Sequence, residues 1–268
     1  MKCGQRLLLV ISFIAVTGSA APCESPDLAV TLGNLRSTDA QIRLDAARNL
    51  PTTWQSATNL TLVVNRIVPF LSSSDEHVRL SVLATLEQIC VVHPEEAPLI
   101  AKAKPALAKA AEDPLEDIRQ YAIAVLGIAQ GVPDEDLKRV LLRGFADPSH
   151  KVRRVALGVV SFKKFKDPEV VTSVLSLGSS RPDDLPRIAE ALGNIAPTDQ
   201  RAIALFVKSL DSNSADLRQQ SLIALRKSGN AAAEAVPRLR QMASDPSESA
   251  QVKRLAKEVL NKVEHSGH

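Results

Sequence analysis

Asp113-Pro114-Leu115-Glu116-Asp117-Ile118-Arg119 and Asp147-Pro148-Ser149-His150-Lys151-Val152-Arg153 spell one pattern twice, 34 residues apart. Each has an acid and a proline, a short polar step, then an apolar residue followed by arginine. Looser copies lie on both sides: Ser37-Thr38-Asp39-Ala40-Gln41-Ile42-Arg43, Asp75-Glu76-His77-Val78-Arg79, Arg181 to Arg187, Asp211 to Arg218, and Asp245 to Lys253. The basic marks fall at 43, 79, 119, 153, 187, 218 and 253, in steps of 36, 40, 34, 34, 31 and 35. Near-constant spacing over seven marks signals a repeat protein, and a repeat must be recognised before local structure is read. The copy at Arg187 is the poorest, because Pro186 holds the apolar slot and the register slips by a residue.

Each period has room for two helices. Ile118, Ala122, Val125 and Ala129 follow one basic mark at helical spacing, and Leu60, Val64, Ile67 and Leu71 do the same in the other half of a period. Both follow the stripe of an amphipathic helix, not the alternation of a strand. Val170 to Val174 is β-branched, yet it occupies a helix slot and is read as helix. Thr38 with Gln41 forms a capping box, and Pro114, Pro148 and Pro246 fit helix starts, where a missing amide costs nothing. One helix pair cannot hide its apolar face, so stacking is required. The expectation is an all-α fold, a right-handed α-solenoid of about seven helix pairs. The helices carrying the basic marks should be first in each pair and lie outside, and the second helices should line a concave face. Residues 27–263 should form one unit, with 22–26 and 264–268 loose.

The pattern of Asp-Pro, apolar-Arg and an Ala-rich helix, seen best in Ile118-Arg119-Gln120-Tyr121-Ala122 and Val152-Arg153-Arg154-Val155-Ala156, resembles a HEAT repeat. The short, Ala-rich form is similar to the phycobilisome-lyase-like HEAT repeats of bacteria, over roughly residues 27–263. The resemblance implies that Asp113 and Asp147, with Arg43, Arg79, Arg119, Arg153 and Arg218, form a structural ladder between repeats. Arg187 and Lys253 depart from it.

Composition agrees with helices. Of 268 residues 45% are apolar, and the aromatics are only six Phe, one Trp and one Tyr. That apolar share excludes wholesale disorder, and Ala and Leu without aromatics favour helix over a β-sandwich. The net charge of +3 excludes a global nucleic-acid-binding excess. The start of the chain reads as an address. Lys2 and Arg6 precede ten nearly unbroken apolar residues, Leu7 to Val16, and then small residues Thr17 to Ala21. That order is a secretory signal peptide, 1–21, too short to span a bilayer. The expected location is exported, periplasmic or secreted. Cys3 leaves with the signal. Pro22 argues against a lipid anchor on Cys23, and Cys90 sits in an apolar stretch as a buried free thiol.

Catalytic patterns are missing. There is no Cys-x-x-Cys, His-Glu-x-x-His, Gly-x-Gly-x-x-Gly, phosphate loop or Gly-x-Ser-x-Gly, so no catalytic residue, cofactor or metal site is assigned. The iron-binding HEAT-like hydroxylases use His-Glu pairs, and this chain has only Glu76-His77 and Glu264-His265. The HEAT-like bilin lyases act inside cells, and the HEAT-like DNA glycosylases need aromatics in a basic groove. One charged stretch stands out. Residues 138–166 hold Lys138, Arg139, Arg143, Lys151, Arg153, Arg154, Lys163, Lys164 and Lys166 against a single acid, Asp147. Leaving Arg153 to the ladder, the other eight are candidates for binding an anionic lipid, polysaccharide or acidic protein. The bland alternative is a solvated surface, with Glu135, Arg139 and Arg143 forming an i, i+4 chain. The leading expectation is an exported, non-enzymatic scaffold that binds a protein partner on its concave face. An enzyme accessory factor with an unseen groove site, or a binder of anionic polymer or lipid through 138–166, stands beside it.

Overall fold

The computed structural model describes residues 28–56, 59–129 and 134–265. The signal segment, Cys23 and residues 22–26 lie outside these. Among the described residues the chain is an all-α solenoid with no strand. Its helices are α1 (Leu28–Asn34), α2 (Ala40–Thr53), α3 (Leu60–Ile67), α4 (Glu76–Val92), α5 (Ala97–Ala101), α6 (Lys104–Ala110), α7 (Glu116–Ile128), α8 (Asp134–Ala146), α9 (His150–Lys163), α10 (Pro168–Ser180), α11 (Leu185–Ile195), α12 (Gln200–Ser209), α13 (Ala215–Ser228), α14 (Val236–Ser244) and α15 (Ala250–His265). They form seven pairs: α1 with α2, α3 with α4, α5 and α6 with α7, then α8–α9, α10–α11, α12–α13 and α14–α15. The last helix runs to His265, two residues into the stretch expected to be loose.

The phase of the pairs differs from the expected one. The helices that carry the basic marks, α2, α4, α7, α9, α11, α13 and α15, are second in each pair, because α1 precedes the first of them. They form a continuous layer in which each packs extensively on the next, whereas successive helices of the other layer touch much less. In a curved stack the closely spaced layer lies inside. The arginine-bearing helices therefore line the concave side. Small residues permit the close spacing. A Cβ at Gly127 would lie 2.5 Å from Val159 Cγ2, and one at Gly193 would lie 2.8 Å from the Ala224 Cβ and 3.0 Å from its Cα. Gly158 has no such neighbour within 4 Å.

The outer layer is less regular, with Pro69, Pro98 and Pro105 at the starts of short 3₁₀ or α segments, where proline's fixed φ is tolerated. Helix starts are capped by aspartate and asparagine more than by the capping box. Asp39, not Thr38, caps α2 by accepting from the Gln41 and Ile42 amides. Asn59, Asp75, Asp167 and Asp199 do the same for α3, α4, α10 and α12. Each such cap stabilises its helix by about 1 kcal/mol.

The inner helices are tied together by arginine. Arg79 Nε and Nη2 donate to Asp113 at 2.9 and 3.2 Å, and Arg119 Nε and Nη2 donate to Asp147 at 2.7 and 2.9 Å. Arg43 reaches Asp75 at 3.0 Å, Arg153 reaches Asp184 at 2.6 Å, and Arg218 reaches Glu248 at 2.9 Å. Each arginine also donates through Nη1 to a carbonyl six residues before it: Ser37, Ser73, Asp113, Asp147 or Ser212. One side chain thus fixes its own loop and the next repeat. This is why an acid in the loop and an arginine at the helix start recur together.

The ladder is interrupted at α11. Gly127 lies eight residues after Arg119 and meets Val159, six after Arg153. Gly193 meets Ala224, six after Arg218. The same offset puts Leu185, not Arg187, at the ladder place of α11, a slip of two residues. A 3₁₀ turn, Pro182–Asp184, takes up the difference and delivers Asp184 to Arg153. Arg187 pairs instead with Glu190 on its own helix at 2.5 Å. Lys253 keeps only a bond to the Pro246 carbonyl at 3.3 Å.

Candidate functional site

The concave layer exposes a regular face. Counted from each ladder residue, the positions two before, one or two after and nine after stay in contact with solvent, as do those five after on α9 and α13 but not on α7, where Ala124 is buried. On α7 these are Asp117, Gln120 and Tyr121, and Ile128; on α9 Lys151, Arg154, Gly158 and Phe162; on α13 Asp216, Gln220, Ile223 and Lys227. Steps of three and four keep them on one side of each helix. Stacking the helices aligns equivalent positions into rows across the solenoid. On α11, counted from Leu185, the rows contain Asp183, Arg187, Glu190 and Asn194.

One row is cross-linked by hydrogen bonds. Asn194 Nδ2 donates to Ser161 Oγ and Lys227 Nζ donates to Asn194 Oδ1, each at 2.5 Å, so α9, α11 and α13 are joined near their C-terminal ends. Trp54 Nε1, in the 3₁₀ turn after α2, likewise donates to Gln88 Oε1 on α4 at 3.0 Å. Close to this edge Val91, Val92 and Phe162 are exposed apolar side chains, Val91 at 68%.

The face also carries perturbed acids. Burial pushes the Glu87 carboxyl up, and it makes no ion pair among the described residues. Burial and then the Glu87 charge raise the neighbouring Tyr121 phenol. Cys90 is a buried free thiol pushed up to about 12, by burial first and Glu87 second, with Lys163 opposing. A thiol so placed is inert. His93 stands beside Glu95 at 3.2 Å and edge-on to Trp54, a loop contact. Among the described residues no three His, Cys, Asp or Glu side chains are grouped to hold a metal ion.

The basic stretch does not form one patch. Lys138, Arg139 and Arg143 lie on outer helix α8. Lys138 is held by Glu169 at 2.9 Å and Asp167 at 3.2 Å, Arg139 by Asp136 at 3.2 Å, and Arg143 by Glu112. The expected Glu135–Arg139–Arg143 chain does not form: Arg139 turns to Asp136 on its own helix, and Arg143 crosses to Glu112 of the preceding repeat. Lys151 and Arg154 lie at the N-terminal end of α9, and Lys163, Lys164 and Lys166 at its other end. Twelve residues of helix separate Lys151 from Lys163, about 18 Å. Lys151 is paired with Glu116 at 2.7 Å and Asp117 at 3.6 Å, and Lys163 donates to the Ala129 carbonyl at 3.4 Å. Lys164 takes the left-handed cap of α9, φ 50°. Lys138 is neutralised from the following repeat and Arg139 from its own helix, by acids that flank the stretch in the sequence, whereas the acids on Arg143 and Lys151 come from the preceding repeat. Arg154, Lys164 and Lys166 remain without an ion pair among the described residues. No described helix is long and apolar enough to cross a membrane.

Solved structures similar to this chain include designed armadillo repeat proteins. An engineered protein from a structural genomics consortium is 20% identical with a TM-score of 0.62, over 88% of this chain and 67% of its own. A computationally designed armadillo repeat protein is 18% identical with a TM-score of 0.51, over 88% and 99%. Another designed armadillo repeat protein is 17% identical with a TM-score of 0.50, over 87% and 98%. No protein-family model and no curated protein matches the sequence. The fold defines the class as an all-α helical-repeat solenoid.

Proposed function

We propose that this chain is an exported scaffold of the HEAT kind that holds a protein partner along the solvent face of its arginine-bearing helices. The observation that carries the reading is the alignment of that face into rows across successive repeats, with no grouped metal ligands among the described residues. A solenoid offers such an extended surface to an extended partner. The titles of two similar structures support the class of use: one was made for modular peptide recognition, and the other was solved in complex with a (KR)4 peptide. Export rests on the order of charges and apolar residues over 1–21.

The test is site-specific photo-crosslinking of the full chain in its own cells. A benzophenone side chain at Gln120 or Gln220, both on the face, should capture one protein, and the same group at exposed Lys208 on outer helix α12 should not. Capture from Lys208 alone, or from no position, overturns the reading. Fractionation should find the chain in the envelope or the medium, and retention in the cytoplasm overturns export.

A further inference from the structure

The two ends of the stack differ from its middle, and in complementary ways. Contacts between inner helices show which positions look forward and which look back. Ser81, two after Arg79, donates through Oγ to the carbonyl of Ala47, four after Arg43, at 2.6 Å. A Cβ on Gly127, eight after Arg119, would meet Val159, six after Arg153. Positions four and eight after a ladder residue look on to the next repeat, and positions two and six after look back to the one before.

Burial breaks down at these positions in the terminal repeats. The residue six after the ladder place is buried on every inner helix except α2, where Asn49 is exposed. The residue just before the ladder place is likewise buried on the others, but Ile42 on α2 is 43% exposed. Among the described residues no earlier repeat stands beside α2. At the other end, the residue four after is a buried Ala, Leu or Ile on every earlier inner helix and an exposed lysine, Lys257, on α15. The ladder is open at both ends too. Asp75, Asp113 and Asp147 each accept from an amide two residues on through Oδ1 and from the preceding repeat's arginine through Oδ2. Asp39 accepts from the Gln41 and Ile42 amides through Oδ1, and its Oδ2 has no partner among the described residues. Lys253 holds the last ladder place with only the Pro246 carbonyl as partner.

We propose that the C-terminal end of one copy of this chain docks on the N-terminal end of a second copy and continues the stack. In the register of the internal repeats, Lys253 meets Asp39 Oδ2, Lys257 meets exposed Asp45, and exposed Asn261 meets Asn49, while α15 covers Ile42. Arg226, eight after Arg218, pairs with Glu258, five after Lys253; by that step Arg48 comes opposite neutral Asn261, so these pairings bring no like charges together. Ends made polar only to face water need no such match of sign and position. A heterologous contact of this kind repeats, giving rings or open chains. It is independent of what the concave face holds.

The test is sedimentation equilibrium of the purified full chain and of two charge reversals, Lys257→Glu and Asp45→Lys. The parent's mass should rise with concentration past the dimer, and added salt should lower it by screening the junction. Either reversal sets like charges opposite each other and should weaken self-association about tenfold or more. Both side chains are exposed, so the melting temperatures should stay unchanged. An equimolar mixture of the two variants should associate again, because their two intact ends still fit and their two reversed ends now fit each other. Association that either reversal leaves unchanged, or that mixing does not restore, overturns the head-to-tail junction. Mass that stops at the dimer overturns it as well. A chain that stays monomeric at near-millimolar concentration overturns a second copy as the occupant.

Discussion

Substituting alanine for two glycines of the concave layer should stabilise the chain at one and not at the other. Gly158 on α9 and Gly193 on α11 are both helical, so Gly→Ala brings each the same intrinsic gain of about 1 kcal/mol. At 158 the new methyl meets nothing within 4 Å, and the gain is kept. At 193 it would lie 2.8 Å from the Ala224 Cβ and 3.0 Å from the Ala224 Cα. Backbone cannot rotate away, so α11 and α13 must separate along the layer where they pack most extensively. Overpacking of this kind costs about 1–3 kcal/mol. Gly158→Ala should therefore melt higher than the parent, and Gly193→Ala lower or level with it. Propensity cancels between the two variants, so their difference isolates the steric cost. At roughly 2–4 °C per kcal/mol for a chain this size, the melting midpoints followed by circular dichroism at 222 nm should differ by about 2–12 °C. Equal midpoints would refute the claim that backbone proximity sets the spacing of the inner helices.

Other outcomes follow from the same layer. Arg153→Ala leaves Asp184 charged, buried and without its partner, and should destabilise by about 3–5 kcal/mol; Arg43→Ala, at a more exposed end rung, should cost less in the same urea titration. Glu87→Gln should raise the melting temperature at pH 7. Its folded carboxyl is raised by burial, so ionisation opposes folding above the ordinary glutamate range, and the gain should disappear below about pH 4, where both folded and unfolded chains are protonated. Asp75 gives the opposite sign. Burial raises it, but the Arg43 hydrogen bond, the His77 and Val78 amides and the Arg43 charge together carry it lower. Its contribution is complete above about pH 4 and is lost as pH falls through the folded value, and Asp75→Asn should flatten the acid side of the pH–stability curve. Native protein at pH 8 should leave Cys90 unlabelled by a thiol reagent until denaturant is added; prompt labelling would contradict its burial.

The sequence by itself determined the repeat, its period and its helical character, because an apolar stripe and a loop acid with its arginine are local patterns. It also marked the basic position of each repeat, and the resemblance to HEAT repeats assigned five of those arginines to a ladder; their bonds to the carbonyl six residues back are seen only in the structure. It could not set the phase of the helix pairs: the stripes mark every helix as one-sided and do not say which layer is packed more tightly. That was decided by close approaches such as Gly127 to Val159, between residues 32 apart. Nor could it read the fate of the basic stretch. Glu112 and Glu116 neutralise Arg143 and Lys151 only because consecutive repeats lie side by side, and α9 carries Lys151 and Lys163 to opposite ends. Asp184 was one polar residue among several in a poor copy of the repeat. Only when the 3₁₀ turn places it beneath Arg153 does it become the buried partner of a ladder arginine. Electrostatics and packing act through space, and a repeat brings near in space what is a full period apart in the chain.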